Sequence, residues 1–222
     1  MKKVISLLIV AVMIMLSLSS CDIVNNFLPK STTEEVRTTI TKEEWAILDD
    51  IINYTLKATG TESNSVDGET ETVEHTYTFK ATETTKYEKS EETYKGESKS
   101  FENYFVTEDG VKYKVQKYSN TWYASKCSWK SESLFEFIFN NDSDITFDNL
   151  TYDKNKKAYI YTEEIDGEVE TYTFHFKDGT LTKIEGEIIY NKNGEFVEER
   201  ATMIISDIGT TSITVPEYTI RE

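Results

Sequence analysis

The sequence predicts a mainly β protein of the α+β class, built on one large, curved antiparallel sheet with two helices. Apolar and polar residues alternate along most of the chain, and Asx-Gly pairs recur between the alternating runs. The chain has 14 Tyr, 11 Phe and 3 Trp but only 2 Pro, and aromatic residues favour strands. Counting the alternating runs gives about ten or eleven strands. A sheet of that size curls or closes rather than staying flat.

The first predicted helix spans residues 41–52. Thr41 is a good N-cap and Glu44 follows three residues later, which is the pattern of a capping box. Four apolar residues then recur at helical spacing: Trp45, Leu48, Ile51 and Ile52. Beyond them the apolar period changes to two, so we expect the helix to end near Asn53.

Strands are predicted from there to residue 129. The clearest run alternates Val73, His75, Tyr77, Phe79 and Ala81 with polar residues. Because His75 shares the phase of Phe79, we expect it to point inward, whereas His175 is out of phase with Phe174 and should point to water. Histidines on opposite faces cannot share a metal ion, so we expect no metal site. The paired acids Glu163-Glu164 and Glu198-Glu199 are interpreted as solvated strand edges.

A second, short helix is predicted at 131–141, capped by Ser131 or Ser133. Its apolar residues at helical spacing are Leu134, Phe135, Ile138 and Phe139. Phe137 makes this segment apolar nearly all round, so we expect it to be buried against the sheet. One more core strand is the alternative, since a short apolar run fits both structures.

The last third is predicted to be a meander of hairpins. The pairs Asp166-Gly167, Asp178-Gly179 and Asn193-Gly194 separate alternating strands, and such pairs supply the positive φ angles that tight turns need. The final strand of this meander is expected within 207–216.

The start of the chain has the pattern of an export signal. Lys2 and Lys3 precede the apolar run 4–18, which is too short to span a membrane comfortably. The run ends in Leu18-Ser19-Ser20-Cys21, which resembles the lipobox of bacterial lipoproteins. That resemblance implies cleavage before Cys21 and attachment of acyl chains, such as palmitate, at this residue. The alternative is an ordinary signal peptide cut nearby.

These patterns predict three parts: a signal peptide at 1–20, a lipid-anchored flexible tether at 21–40 and one β-rich domain at 41–222. Two acyl chains bind a membrane almost irreversibly, so we expect the protein on the extracytoplasmic face of the plasma membrane, in the bacterial cell envelope. Asp22 resembles an inner-membrane retention signal of one sorting system, but the sequence leaves inner and outer membrane open.

The order of elements over 41–217 resembles the LolA- and LolB-type lipoprotein carriers and the mycobacterial lipid-carrying lipoproteins. The resemblance lies in the helix at 41–52, the helix at 131–141 and the final meander, and the ending Asp207–Pro216 looks like the last strand of uncharacterised lipoproteins of this layout. It implies an unclosed barrel with the helices in its concavity, and a cavity for acyl chains. The sequence leaves open whether side chains fill that cavity.

Composition limits the function further. With a net charge of −16, the chain repels nucleic-acid backbones, so no nucleic-acid partner is expected. Cys127 has no partner if Cys21 is acylated, and we expect a free, inert thiol. We find no catalytic constellation and no cofactor motif, and therefore expect no enzyme. The sequence favours a membrane-anchored protein that binds a lipid or other hydrophobic ligand. The alternative is a protein-interaction or envelope-structural module with a filled core.

Overall fold

Alternating side chains and tight turns give the chain one sheet of twelve strands. It is described here from a computed structural model, for residues 36–66, 69–139, 145–192 and 195–221. The predicted signal peptide and Cys21 lie outside the described residues. The protein is mainly β, and its curved sheet is unclosed, as predicted.

Two short α-helices accompany the strands: α1 (Lys42–Ala46) and α2 (Leu134–Phe139). The strands are β1 (Tyr54–Val66), β2 (Glu69–Ala81), β3 (Thr85–Tyr94), β4 (Glu97–Glu108), β5 (Val111–Tyr118), β6 (Thr121–Lys126), β7 (Thr151–Asp153), β8 (Ala158–Ile165), β9 (Glu168–Lys177), β10 (Thr180–Lys192), β11 (Glu195–Ser206) and β12 (Thr219–Ile220). The short strands β7 and β12 were not predicted, because strands of two or three residues leave no periodic pattern.

The sheet joins two meanders side by side. Its order is β12-β6-β5-β4-β3-β2-β1-β11-β10-β9-β8-β7, and each pair is antiparallel except β12 with β6. Strand β1 lies at the junction, between β2 and β11. The first and last strands of this order do not pair with each other, so the sheet has two edges.

The Asx-Gly pairs form hairpin turns, as predicted. Asp166-Gly167 and Asp178-Gly179 both have positive φ angles, and Asp109-Gly110 forms a third turn of this kind. Lys95-Gly96 adds a fourth such turn that the sequence reading missed. The pair Asn193-Gly194 lies outside the described residues.

The main core lies on one face of β1, β2 and β8 to β11, which we call the inner face. The helices α1 and α2 pack against it, with the Trp45 ring 5.2 Å from Phe174. Phe137 stacks on Phe79 at 4.0 Å, which confirms that this helix is buried against the sheet. The helices therefore fill this part of the inner face with aromatic side chains.

The predicted first helix is too long. Its capping box forms, with the Thr41 hydroxyl and the Glu44 carboxylate each accepting a backbone N–H. The helix then tightens into a 3₁₀ turn, Ile47–Asp49, and ends there. Beyond this turn, the Ile51 carbonyl accepts a hydrogen bond from the Leu134 N–H at 2.7 Å, which joins this segment to the first residue of α2.

The second segment is a helix, so the alternative of a core strand is wrong. The Ser133 hydroxyl accepts a hydrogen bond from the Glu136 N–H at 3.0 Å, which identifies Ser133 as the cap.

The expected final strand within 207–216 does not form. Asp207 and Gly209 have positive φ angles, which turn the chain away from the sheet after β11. Asn53 then holds the segment, since its side-chain oxygen accepts the Thr211 N–H at 2.9 Å. Val215 and Tyr218 continue onto the other face of the sheet and complete a second, smaller core with residues of β4 to β6.

Candidate functional site

Along β1, the side chains on the inner face change from apolar to polar. On β1, Leu56 and Ala58 belong to the helix-covered core, whereas the next inner-facing residues are Gly60, Glu62 and Asn64. The inner face of β1 is therefore apolar at Leu56 and Ala58, has no side chain at Gly60, and is polar at Glu62 and Asn64. The candidate site lies at this change.

Three adjacent strands place small residues at the same level of the inner face. Gly60 on β1 lies opposite Ala201 on β11, and Ala201 lies opposite Gly186 on β10. We call these three the small-residue row. The Tyr172 ring closes one end, since a Cβ atom on Gly186 would lie 3.4 Å from it. His75 lies opposite Gly60 at the other end.

A row of acids lies one level further along the strands. Glu62 is directly opposite Glu199, and Ile188 separates Glu199 from Glu170 on β9. We call Glu62, Glu199 and Glu170 the carboxylate row. Directly opposite side chains have Cβ atoms about 4.5–5.5 Å apart, and like charges in that position are destabilising.

Glu199 is the most strongly perturbed member of this row. Its side chain is buried, with the residue 3% exposed, and its Oε2 has no hydrogen-bond partner among the described residues. Burial raises the pKa of this carboxyl to about 7, and the charges of Glu62, Glu168 and Glu170 act in the same direction. It is therefore a carboxyl that titrates near neutral pH.

Its neighbours in the row have partial partners. Glu62 accepts a hydrogen bond from the Asn64 amide at 3.0 Å. Glu170 accepts one from the Tyr172 hydroxyl at 3.1 Å. Burial raises the pKa of Glu170, although the Tyr172 hydrogen bond opposes that shift.

His75 is only 6% exposed and faces inward, which confirms the prediction from its phase. Its Nε2 has no hydrogen-bond partner among the described residues. Burial lowers the pKa of this imidazole, against the opposing charges of Glu92 and Glu62. Gly60, which lies opposite His75 on β1, has no side chain.

The other histidine lies on the opposite face, as predicted. His175 Nε2 is 2.7 Å from a Glu185 carboxylate oxygen, so this imidazole has a partner there. Within the described ranges, no group of three His, Cys, Asp or Glu side chains is placed to hold a metal ion.

The thiol of Cys127 is free and half-buried. Burial raises its pKa, against the opposing charges of Lys114 and Lys112, so the thiol is less readily ionised than an exposed one. Over the described part of the chain, no helix is long and apolar enough to cross a membrane.

Hydrogen bonds and an ion pair hold the segment before α1 against the domain. The Arg37 N–H donates to the Asp178 carboxylate at 3.1 Å, and the Arg37 guanidinium pairs with Glu44. Gly179 favours this turn because its φ is +84°, and a Cβ atom there would also have to displace the Glu44 carboxylate.

Sequence reasoning missed the carboxylate row. It interpreted Glu198-Glu199 as a solvated strand edge, which is wrong for Glu199. The signal was present: Glu199 shares its phase with Val197, Ala201 and Met203, all of which are buried. Only Glu198 faces outward, where it pairs with Arg200 at 2.6 Å.

Comparisons with known proteins add little. No protein-family profile matches the chain, and no curated protein matches it. Among solved structures, it is similar to a DUF1329 family protein from Desulfovibrio piger, at 10% identity over 79% of this chain and 93% of that chain, with a TM-score of 0.25. A likeness this weak carries no argument about function.

Proposed function

We propose that the chain is a membrane-anchored extracytoplasmic lipoprotein that holds a lipid or other hydrophobic ligand against the inner face of its sheet. The observation that carries this proposal is the small-residue row, closed at one end by His75, whose buried Nε2 has no partner among the described residues. A row of small residues alone would be ordinary packing. Unpartnered buried polar atoms beside it indicate that a further molecule belongs there.

The small-residue row crosses three neighbouring strands. Neighbouring strands lie about 4.7–4.9 Å apart, so crossing from Gly186 to Gly60 takes roughly 10 Å. Larger side chains stand on both sides of the row, with Met203 and Tyr77 towards the helices and Ile188 towards the acids. Ligand sites are mostly apolar surfaces with a few placed polar groups, and this surface has that composition.

The second part of the proposal is the lipid anchor at Cys21. Acylation at Cys21 would hold the domain beside a bilayer, where hydrophobic ligands are concentrated. The resemblance of residues 41–217 to lipid-carrying lipoproteins supports the same proposal.

The test is lipid retention by the full chain, produced in a bacterial host and extracted from membranes in mild detergent. Native mass spectrometry and lipid extraction would measure the bound lipid. Ala201→Phe fills the small-residue row, and Ile204→Phe is the matched control, because Ile204 lies on the same strand but is exposed on the other face.

We expect the wild type and Ile204→Phe to carry lipid and Ala201→Phe to lose at least about nine-tenths of it, since the ring occupies the volume of the ligand. Circular dichroism shows whether Ala201→Phe still folds, and Gly60→Val is a milder variant if it does not. A wild type that holds no lipid and takes up no hydrophobic dye would overturn the proposal.

The filled core favours a second candidate, a protein-interaction or envelope-structural module without a ligand. Trp45 and Phe137 already occupy the helix-covered half of the inner face. This candidate predicts no bound lipid in any variant.

A further inference from the structure

We propose that the ligand is an amphiphile whose polar head carries a primary ammonium group, and that Glu199 and Glu62 bind this head with His75 as a further acceptor. The inference rests on the proposed function and specifies its ligand class. Three features of the described residues support it: uncompensated charge, unpartnered acceptors and their position beside the small-residue row.

The negative charge of the carboxylate row has no counter-ion from the protein. None of the ion pairs among the described residues involves Glu62, Glu170 or Glu199. On the other face of the same strand, by contrast, Arg200 pairs with both Glu187 and Glu198. On β11, opposite charges are therefore matched on the outer face, whereas Glu199 on the inner face has no charged partner among the described residues.

Three buried polar atoms on the inner face lack hydrogen-bond partners among the described residues. The Tyr54 hydroxyl lies in the helix-covered core, and the other two lie beside the small-residue row. Glu199 Oε2 and His75 Nε2 both belong to residues more than nine-tenths buried, and both lie diagonal or opposite to Gly60. A buried polar atom without a partner destabilises the fold. A carboxylate oxygen is an acceptor, and so is the unprotonated nitrogen of a neutral imidazole, so donors from a ligand would satisfy both.

The charge and the acceptor atoms of this region favour one class of ligand head group over the others. An anionic head would be repelled by the carboxylate row, and the described residues include no trio placed for a metal ion. A primary ammonium supplies positive charge and three N–H donors. A quaternary ammonium supplies the charge without donors and would leave Glu199 and His75 unsatisfied.

The two rows are placed for an amphiphile. The carboxylate row lies two residues further along each strand than the small-residue row, which is about 7 Å at the rise of a strand. A hydrocarbon chain lying across Gly60, Ala201 and Gly186 would therefore have its head beside the acids.

The test compares two phospholipids with the same oleoyl chains, phosphatidylethanolamine and phosphatidylglycerol. Only the first carries a primary ammonium. The full chain, washed free of lipid in detergent, is incubated with vesicles containing equal amounts of both, and the bound lipids are quantified by mass spectrometry. Glu199→Gln removes one charge from the row, and Glu198→Gln is the matched control on the outer face.

We expect the wild type and Glu198→Gln to prefer the ethanolamine lipid at least about tenfold. The reason is that its ammonium group forms charge-assisted hydrogen bonds with the carboxylates, which the glycerol head cannot supply. Glu199→Gln should bind a similar total amount but lose most of the preference, and Glu62→Gln should do the same if Glu199→Gln folds poorly. Equal binding of both lipids by the wild type, or a preference for phosphatidylglycerol, would overturn this inference while leaving lipid binding intact. Binding of neither lipid would instead count against the proposed function.

Discussion

Glu62 and Glu199 face each other directly across β1 and β11, on the inner face of the sheet. Both side chains are acidic, and the described residues offer Glu199 Oε2 no hydrogen bond. The fold therefore holds together two groups that repel each other when both are ionised. This relationship has a measurable effect on stability.

Glu199→Gln should change how stability depends on pH. The pKa of Glu199 is raised from 4.5 to about 7 by burial and by the charges of Glu62, Glu168 and Glu170, so the folded protein keeps a proton that the unfolded chain releases. The Glu199 contribution is therefore fully present below pH 4.5, declines as the pH rises and is lost above about 7. At pH 8 we expect Glu199→Gln to be more stable than the wild type by roughly 1–3 kcal/mol.

Urea denaturation at pH 5 and pH 8 measures this difference. Glu198→Gln, on the solvent side of the same strand, should leave the pH dependence unchanged. If the wild type and Glu199→Gln lose stability equally between the two pH values, the buried carboxyl is not the group that titrates.

Tyr159→Phe should destabilise the domain at its N-terminal edge. The Tyr159 hydroxyl accepts the Ile40 N–H and donates to the Ile40 carbonyl, both at 3.1 Å and both buried. Removing the hydroxyl leaves two buried backbone groups without a partner, which costs roughly 1–3 kcal/mol.

Tyr152→Phe is the control for this prediction. The Tyr152 hydroxyl also reaches the N-terminal segment, 2.7 Å from the Thr38 hydroxyl, but that contact is only partly buried. Its loss should lower the free energy of unfolding by about 0.5–1 kcal/mol. Thermal or urea denaturation that finds Tyr159→Phe no less stable than Tyr152→Phe would contradict the prediction.

Cys21→Ala tests the anchor. With the thiol removed, acyl labelling should disappear and the protein should leave the membrane fraction, because no acyl chains remain to bind it. Metabolic labelling with a fatty acid, together with fractionation of the cells, measures both effects. A matched Cys127→Ala variant should stay labelled and membrane-bound. A Cys21→Ala product that is still processed and membrane-associated would disprove the lipobox interpretation.

Local signals in the sequence predicted much of the fold. Thr41 and Glu44 form the predicted capping box, and Asp166-Gly167 and Asp178-Gly179 form the predicted turns. Each of these features depends on residues close together in the sequence. The inward phase of His75 was correct for the same reason, since alternation along one strand determines the face.

The candidate site was not predictable in this way. Glu62 and Glu199 become neighbours only because β11 pairs with β1, and neither strand alone indicates that pairing or its register. The prediction of a strand within 207–216 was wrong for a related reason. Its alternation of Thr211, Ile213 and Val215 resembles a strand, but the contact between Asn53 and Thr211 leads the segment away from the sheet.

The position of β1 between the two meanders has a consequence for the time course of folding. The hairpins of β2 to β6 and of β8 to β11 join neighbours in sequence, so each meander assembles through short loops, which close at little entropic cost. The seam between β1 and β11 joins the first strand to the last of the long strands, so it forms only when nearly the whole chain is available for pairing. Until then β1 exposes an unpaired edge, and the chain passes through a half-assembled state that is prone to wrong strand pairing.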